Sequence, residues 1–164
     1  MRRVLGADKA LYFDTLFPSQ SKKKSLFAHR AVIGIGGNLG NVKQRFKRLI
    51  LWLRKHPLIH VKQSAPIFEN PPFGFLTQPN FYNTIVELET NLTPRKLLHF
   101  LLQTEKRFGR VRTFKNAPRT LDLDIIFYDD LNYKDKLLQI PHPQWNNRDS
   151  VLIPLSYFYK RRVR

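Results

Sequence analysis

Pro118-Arg119-Thr120-Leu121-Asp122-Leu123-Asp124-Ile125-Ile126-Phe127 sets two carboxylates two residues apart in an apolar segment of a very basic chain. Period-two alternation predicts a strand with Asp122 and Asp124 on one face. Two such charges about 7 Å apart are costly to hold together unless a cation neutralises them, and a divalent metal with bound phosphates would do so. The residues alone leave a second reading open, aspartates on the solvent face of an edge strand. The neighbourhood favours a ligand. Arg107, Arg110, Arg112, Lys115 and Arg119 all precede or flank the pair, and such donors suit a polyphosphate gripped beside its metal.

Upstream, Thr93-Pro94 opens a predicted helix as N-cap and first-turn proline, with Leu97, Leu98, Leu101, Leu102 and Phe108 as its apolar stripe up to Gly109. The polar segment from Arg110 to Arg119 has few apolar anchors and is expected to act as a lid that orders on an anionic substrate. Before the helix, Phe81 to Leu88 reads as a strand on which Phe81 and Asn83 share a face. A ring beside an amide suits a planar heterocycle, and an exposed aromatic next to a strand-end asparagine is the other reading that the residues leave open. Ile59 to Ile67 reads as another strand, and Glu69-Asn70-Pro71-Pro72-Phe73-Gly74-Phe75 as a stiff loop.

Ala31 to Ile35 is a further strand, closed by Gly36-Gly37-Asn38-Leu39-Gly40, where glycine lets a ligand approach the backbone. Val42, Phe46, Leu49, Ile50 and Leu53 then recur at helical spacing until Pro57. The glycines match neither a P-loop nor the dinucleotide fingerprint, which disfavours both familiar nucleotide folds. The order strand-helix-strand-strand-helix-strand predicts an α+β fold, a ferredoxin-like antiparallel sheet with helices packed on one face.

The 164 residues, 42% hydrophobic and 13% aromatic, fit one domain with a sizeable core. Twenty-nine Lys and Arg against 12 Asp and Glu give a formal charge of +17 and point to an anionic partner. The lack of cysteine excludes disulfides and thiolate chemistry. No apolar run reaches the ~18 residues of a membrane span. Residues 1–30, with Arg2, Arg3 and Lys22-Lys23-Lys24, read as a basic extension without the apolar region of a secretion signal, and residues 31–164 as the domain it precedes. An RNA-binding module of the same topology is the alternative that net charge supports; Asp122 and Asp124 would repel a phosphate backbone unless metal were present.

From Ala31 to about Leu155 the chain resembles the 6-hydroxymethyl-7,8-dihydropterin pyrophosphokinase family. The matching pieces are Ile35-Gly36-Gly37-Asn38-Leu39, Asn70-Pro71-Pro72-Phe73-Gly74, Gln78-Pro79-Asn80-Phe81-Tyr82-Asn83, Gly109-Arg110-Val111-Arg112, Pro118 to Asp124, and Pro141-His142-Pro143. The resemblance implies transfer of pyrophosphate from ATP to the pterin hydroxymethyl group, with AMP as leaving group. It implies two magnesium ions on Asp122 and Asp124, and catalytic roles for Arg110, Arg112 and Arg119. Glu105, Arg110, Arg119, His142 and Arg148 would serve ATP; Pro72, Phe73, Gly74, Phe81 and Asn83 would serve the pterin. A cytoplasmic location without membrane or nucleic-acid partners is expected, and contact with neighbouring folate-pathway enzymes is left open.

The chain also departs from the family pattern. Ser150 stands where an aromatic commonly covers the second pterin face, with Trp145 or Phe73 as its replacement. Gly37 replaces a frequent serine, Lys115 and Asn116 replace an Arg-Trp pair in a shorter loop, and the tail after Ser156 is short and basic, without the usual extension.

Overall fold

The computed structural model describes residues 1–160, with Lys160 described by its backbone alone. The basic residues 161–164 of the tail lie outside the described residues. In chain order the elements are β1 (Arg2–Gly6), β2 (Lys9–Tyr12), β3 (Ser19–Gln20), β4 (His29–Gly37), α1 (Val42–Lys55), β5 (Ile59–Ser64), β6 (Ile67–Asn70), β7 (Phe81–Thr90), α2 (Pro94–Arg107), β8 (Asp122–Tyr128), β9 (Tyr133–Lys134), β10 (Gln139–Ile140), a short 3-10 turn at Trp145–Asn147, and α3 (Asp149–Lys160). Helices and an open antiparallel sheet make the fold α+β.

The main sheet runs β1-β2-β6-β7-β4-β8, and β5, which β3 flanks, pairs with the far half of β7. The stretch expected as one strand over Ile59 to Ile67 is therefore two, and Glu69 and Asn70, expected in a loop, belong to the second. Pro66 sits at the break, where a residue without an N–H ends the ladder. β7 bridges both pieces, pairing Val61 with its Leu88 and Phe68 with its Asn83.

Ala31, Ile33 and Ile35 of β4 alternate toward α1 and α2, where they join Phe46, Leu49, Ile50, Leu97 and Leu101 in the larger core. Asn41 caps α1 by accepting from the Gln44 N–H, and Thr93 caps α2 from the Lys96 N–H with Pro94 in its first turn. Both helices end on basic residues that suit the negative end of the dipole.

The opposite face is also covered, which corrects the expectation of helices on one face. Ile85 and Ile126 bury against Val151, Leu155 and Phe158 of α3, with Val32 and Phe127 beside them. Strands with apolar residues on both faces need a layer on each. Residues 1–30 meanwhile build onto the sheet: β2 pairs with β6, and Ala10, Leu11 and Phe17 are buried. Among the described residues no helix is long and apolar enough to cross a membrane.

Candidate active site

β4, β7 and β8 present their α3-side residues to a cleft of about 660 Å³. Register aligns them, because Gly36 lies opposite both Asn83 and Asp122, and Gly34 lies opposite Asp124. The glycines leave room above the sheet. A Cβ on Gly36 would come within 2.9 Å of Asn83 Oδ1, and one on Gly34 within 3.2 Å of Ile126. The cleft is lined by Pro72, Phe73, Phe81, Asn83, Arg119, Asp122, Asp124, His142 and Arg148, nine of the expected site residues.

Asp122 and Asp124 share this face as alternation required. Arg119 Nη1 donates to Asp122 Oδ2 at 2.8 Å, and its guanidinium lies 5.1 Å from the Phe81 ring centroid. Asp124 receives no side-chain hydrogen bond from the described residues. Burial, then the charges of Asp122 and Glu105, push its carboxyl up to about 7, against the weaker pull of Arg148 and Arg119. Crowded, under-bonded carboxylate oxygens are the donor chemistry of a hard divalent cation. Among the described residues no cluster of three His, Cys, Asp or Glu groups that could hold a metal ion exists; a divalent cation on this pair would complete its coordination with phosphate oxygens and water.

Asn83 Nδ2 donates to Asn70 Oδ1 at 2.7 Å, which fixes the amide beside Phe81. Asn38, 4% exposed, fastens the entry to β8. Its backbone N–H donates to the Arg119 carbonyl, its Oδ1 accepts from the Arg119 N–H at 2.9 Å, and its Nδ2 donates to Gln78 Oε1 and the Pro79 carbonyl. This clasp aims Arg119 and Phe81 at the same volume. His142 Nδ1 accepts from the Gln144 N–H, and Arg148 donates to Gln144. Burial first, then the Arg148 charge, hold the His142 imidazole below its usual pKa.

Four expected residues do not line the cleft: Gly74, Glu105, Arg110 and Arg112. Gly74 takes φ +80 in the loop after Pro72, a conformation that favours glycine. Glu105 is buried under β8, where it accepts from the Leu123 N–H and from Arg112, each at 2.8 Å. Burial raises its pKa, and the Leu123 N–H opposes this. Arg112 thereby pins the expected lid, which Phe114 also ties to Phe75. Arg110 Nε is buried without a hydrogen-bond partner among the described residues.

Of the two replacements for an aromatic at Ser150, Phe73 lines the cleft, whereas Trp145 packs on Phe127 with centroids 5.0 Å apart. Arg107 lies over the Trp52 ring, outside the cleft lining. Sequence reasoning missed Lys9, Thr84 and Gln144 as lining residues. Asn70 was visible in its motif, but nothing local marked Lys9.

A family model described as 7,8-dihydro-6-hydroxymethylpterin-pyrophosphokinase matches residues 32–160. A Helicobacter pylori protein named 2-amino-4-hydroxy-6-hydroxymethyldihydropteridine pyrophosphokinase is 45% identical over 142 residues, covering 85% of this chain and 87% of its own. Proteins of the same name from Campylobacter jejuni and Synechocystis are 39% and 41% identical, over 85% and 87% of this chain and 89% and 69% of theirs.

Proposed function

The chain belongs to the 7,8-dihydro-6-hydroxymethylpterin-pyrophosphokinase family, and on that premise we propose how its cleft does the work. It transfers pyrophosphate from ATP to the hydroxymethyl group of 6-hydroxymethyl-7,8-dihydropterin, releasing AMP, in folate biosynthesis. The residue roles are our reading. Phe81 stacks on the pterin, Asn83 hydrogen-bonds its polar edge, and the backbone of Pro72, Phe73 and Gly74 meets the rest of the heterocycle.

Arg119, His142 and Arg148 hold ATP, and Arg110 and Arg112 reach its phosphates from the loop. Glu105 serves the nucleotide end from beneath, by holding Arg112 and the Leu123 N–H. Asp122 and Asp124 would hold two magnesium ions, which when bound neutralise phosphate charge and orient the reacting groups. The pterin hydroxymethyl oxygen attacks the β-phosphorus in line as AMP departs, a substitution that depends on positioning more than on covalent help from the protein. Closure of the segment from Arg110 to Pro118 would exclude water and favour transfer over hydrolysis.

The observation that carries this reading is the meeting of Asp122 and Asp124 with Phe81 and Asn83 on one cleft face. The strand order β5-β7-β4-β8 around α1 and α2 supports a ferredoxin-like core. We take residues 31–164 as the pyrophosphokinase domain and 1–30 as an extension integrated with its sheet. The reading extends to a cytoplasmic location and to contact with neighbouring folate-pathway enzymes.

The test is formation of AMP and pterin diphosphate from ATP and 6-hydroxymethyl-7,8-dihydropterin, with magnesium and with chelator. Magnesium-dependent formation of both products is expected. Undiminished product in chelator would reject the metal role.

A further inference from the structure

Lys9 lies outside the residues that the family model matches, yet its side chain lines the cleft. Register explains how it arrives there. Ala10 pairs with Glu69, and Asn70 pairs with Phe81. Lys9 therefore stands one step before Ala10, in line with Asn70 and Phe81 across three neighbouring strands, and all three line the cleft.

The hairpin that carries it is firmly seated. Ala10 and Leu11 are buried, and Tyr12 Oη donates to Glu69 Oε2 at 2.6 Å. From the other side the first turn of α3 reaches over, and Lys9 Nζ donates to Asp149 Oδ2 at 2.7 Å. Asp149 and Ser150 line the same cleft, and both members of the ion pair remain about half exposed, at 43% and 56%. An ammonium has three donors and Asp149 occupies one. The remaining donors are left for a ligand in the cleft, which Asn70, Phe81 and Ser150 also line.

We propose that Lys9 is a substrate-binding residue of this enzyme. It is tethered by Asp149 so that its ammonium donates to a hydrogen-bond acceptor on the bound pterin. The proposal rests on the assignment of Phe81 and Asn83 to the pterin. The pterin's ring nitrogens and carbonyl supply such acceptors, and a charged donor strengthens the bond. The basic N-terminal segment is then part of the active site.

Steady-state kinetics of the full chain test this, with each substrate varied against saturating partner and magnesium, for Lys9→Met, Lys9→Arg, Asp149→Asn and Phe81→Ala. Lys9→Met should raise the pterin KM about tenfold, the loss of one hydrogen bond from a charged donor. ATP KM and kcat should not move, the thermal midpoint should fall by no more than about 4 °C for the lost exposed ion pair, Lys9→Arg should restore most of the pterin affinity, and Asp149→Asn should give a smaller rise. An unchanged pterin KM in Lys9→Met, or equal rises for both substrates, would overturn the proposal. If Phe81→Ala raises the pterin KM and Lys9→Met does not, only the role of Lys9 fails. If Phe81→Ala has no effect, the pterin assignment beneath it fails too.

Discussion

Replacing Glu105 separates two bonds that one buried carboxylate makes. Glu105→Ala leaves the Leu123 N–H of β8 buried without an acceptor, which costs about 1–3 kcal/mol. It also frees Arg112, but that guanidinium is 61% exposed, so after solvent screening the pair contributes at most about 1 kcal/mol. Against both, the change removes a carboxylate whose charged form burial disfavours and which crowds Asp122. A net loss of about 1–3 kcal/mol remains. Glu105→Gln keeps an oxygen for Leu123 and loses only the charge, so it should cost about 1 kcal/mol or less. With roughly 2–4 °C per kcal/mol for a chain of this size, the melting midpoint should fall by about 2–12 °C for alanine, and by less for glutamine, no more than about 4 °C. Urea unfolding of these two variants and of Arg112→Ala checks it. If Glu105→Gln or Arg112→Ala is as destabilised as Glu105→Ala, the ion pair rather than the strand N–H is what Glu105 supplies, and the reasoning is wrong.

Asp122→Ala and Asp124→Ala should each abolish turnover while circular dichroism keeps the wild-type spectrum, and near-normal rates in folded variants would remove both from the metal site. Gly37→Ala would place a Cβ 2.6 Å from the Thr120 carbonyl oxygen, forcing β4 from the β8 entry segment; a loss of about 1–3 kcal/mol in urea unfolding is expected. The Tyr133 hydroxyl, then the Leu137 and Leu138 N–H groups and Arg95, hold the Asp135 carboxyl down to about 2. A depressed folded pKa gives stability that is complete above the unfolded value near 4 and is lost as pH falls toward 2. The difference in unfolding midpoint between wild type and Asp135→Asn should therefore be level above about pH 5 and shrink between pH 4 and 2.

β4, α1, α2 and β8 were legible because their apolar residues keep one period and their ends carry caps or breakers. Asp122 with Asp124, and Phe81 with Asn83, came together because alternation fixes a face and the neighbouring strands align their ends. α3 was not legible. Pro154 lies inside it, and Val151-Leu152-Ile153 is a continuous apolar run that shows no single stripe. The N-terminal hairpin escaped for a different reason: its strands have five and four residues, and the first is exposed throughout. Their stability comes from pairing with β6, which no local pattern announces. Glu105 gave a signal that resemblance alone had used. It falls at helical spacing from Leu97 and Leu101, on the stripe that turns inward, so an acid there must meet buried donors.

β1 ends the sheet and carries Arg2 and Arg3 on a strand with no further partner among the described residues. Its outer row of main-chain groups is a template onto which a second polypeptide would add. Like-charged side chains along such a row repel a copy of themselves, so an approaching twin meets its own arginines before it meets a ladder. Neutralising Arg2 and Arg3 would remove that repulsion and leave the row open to a second strand.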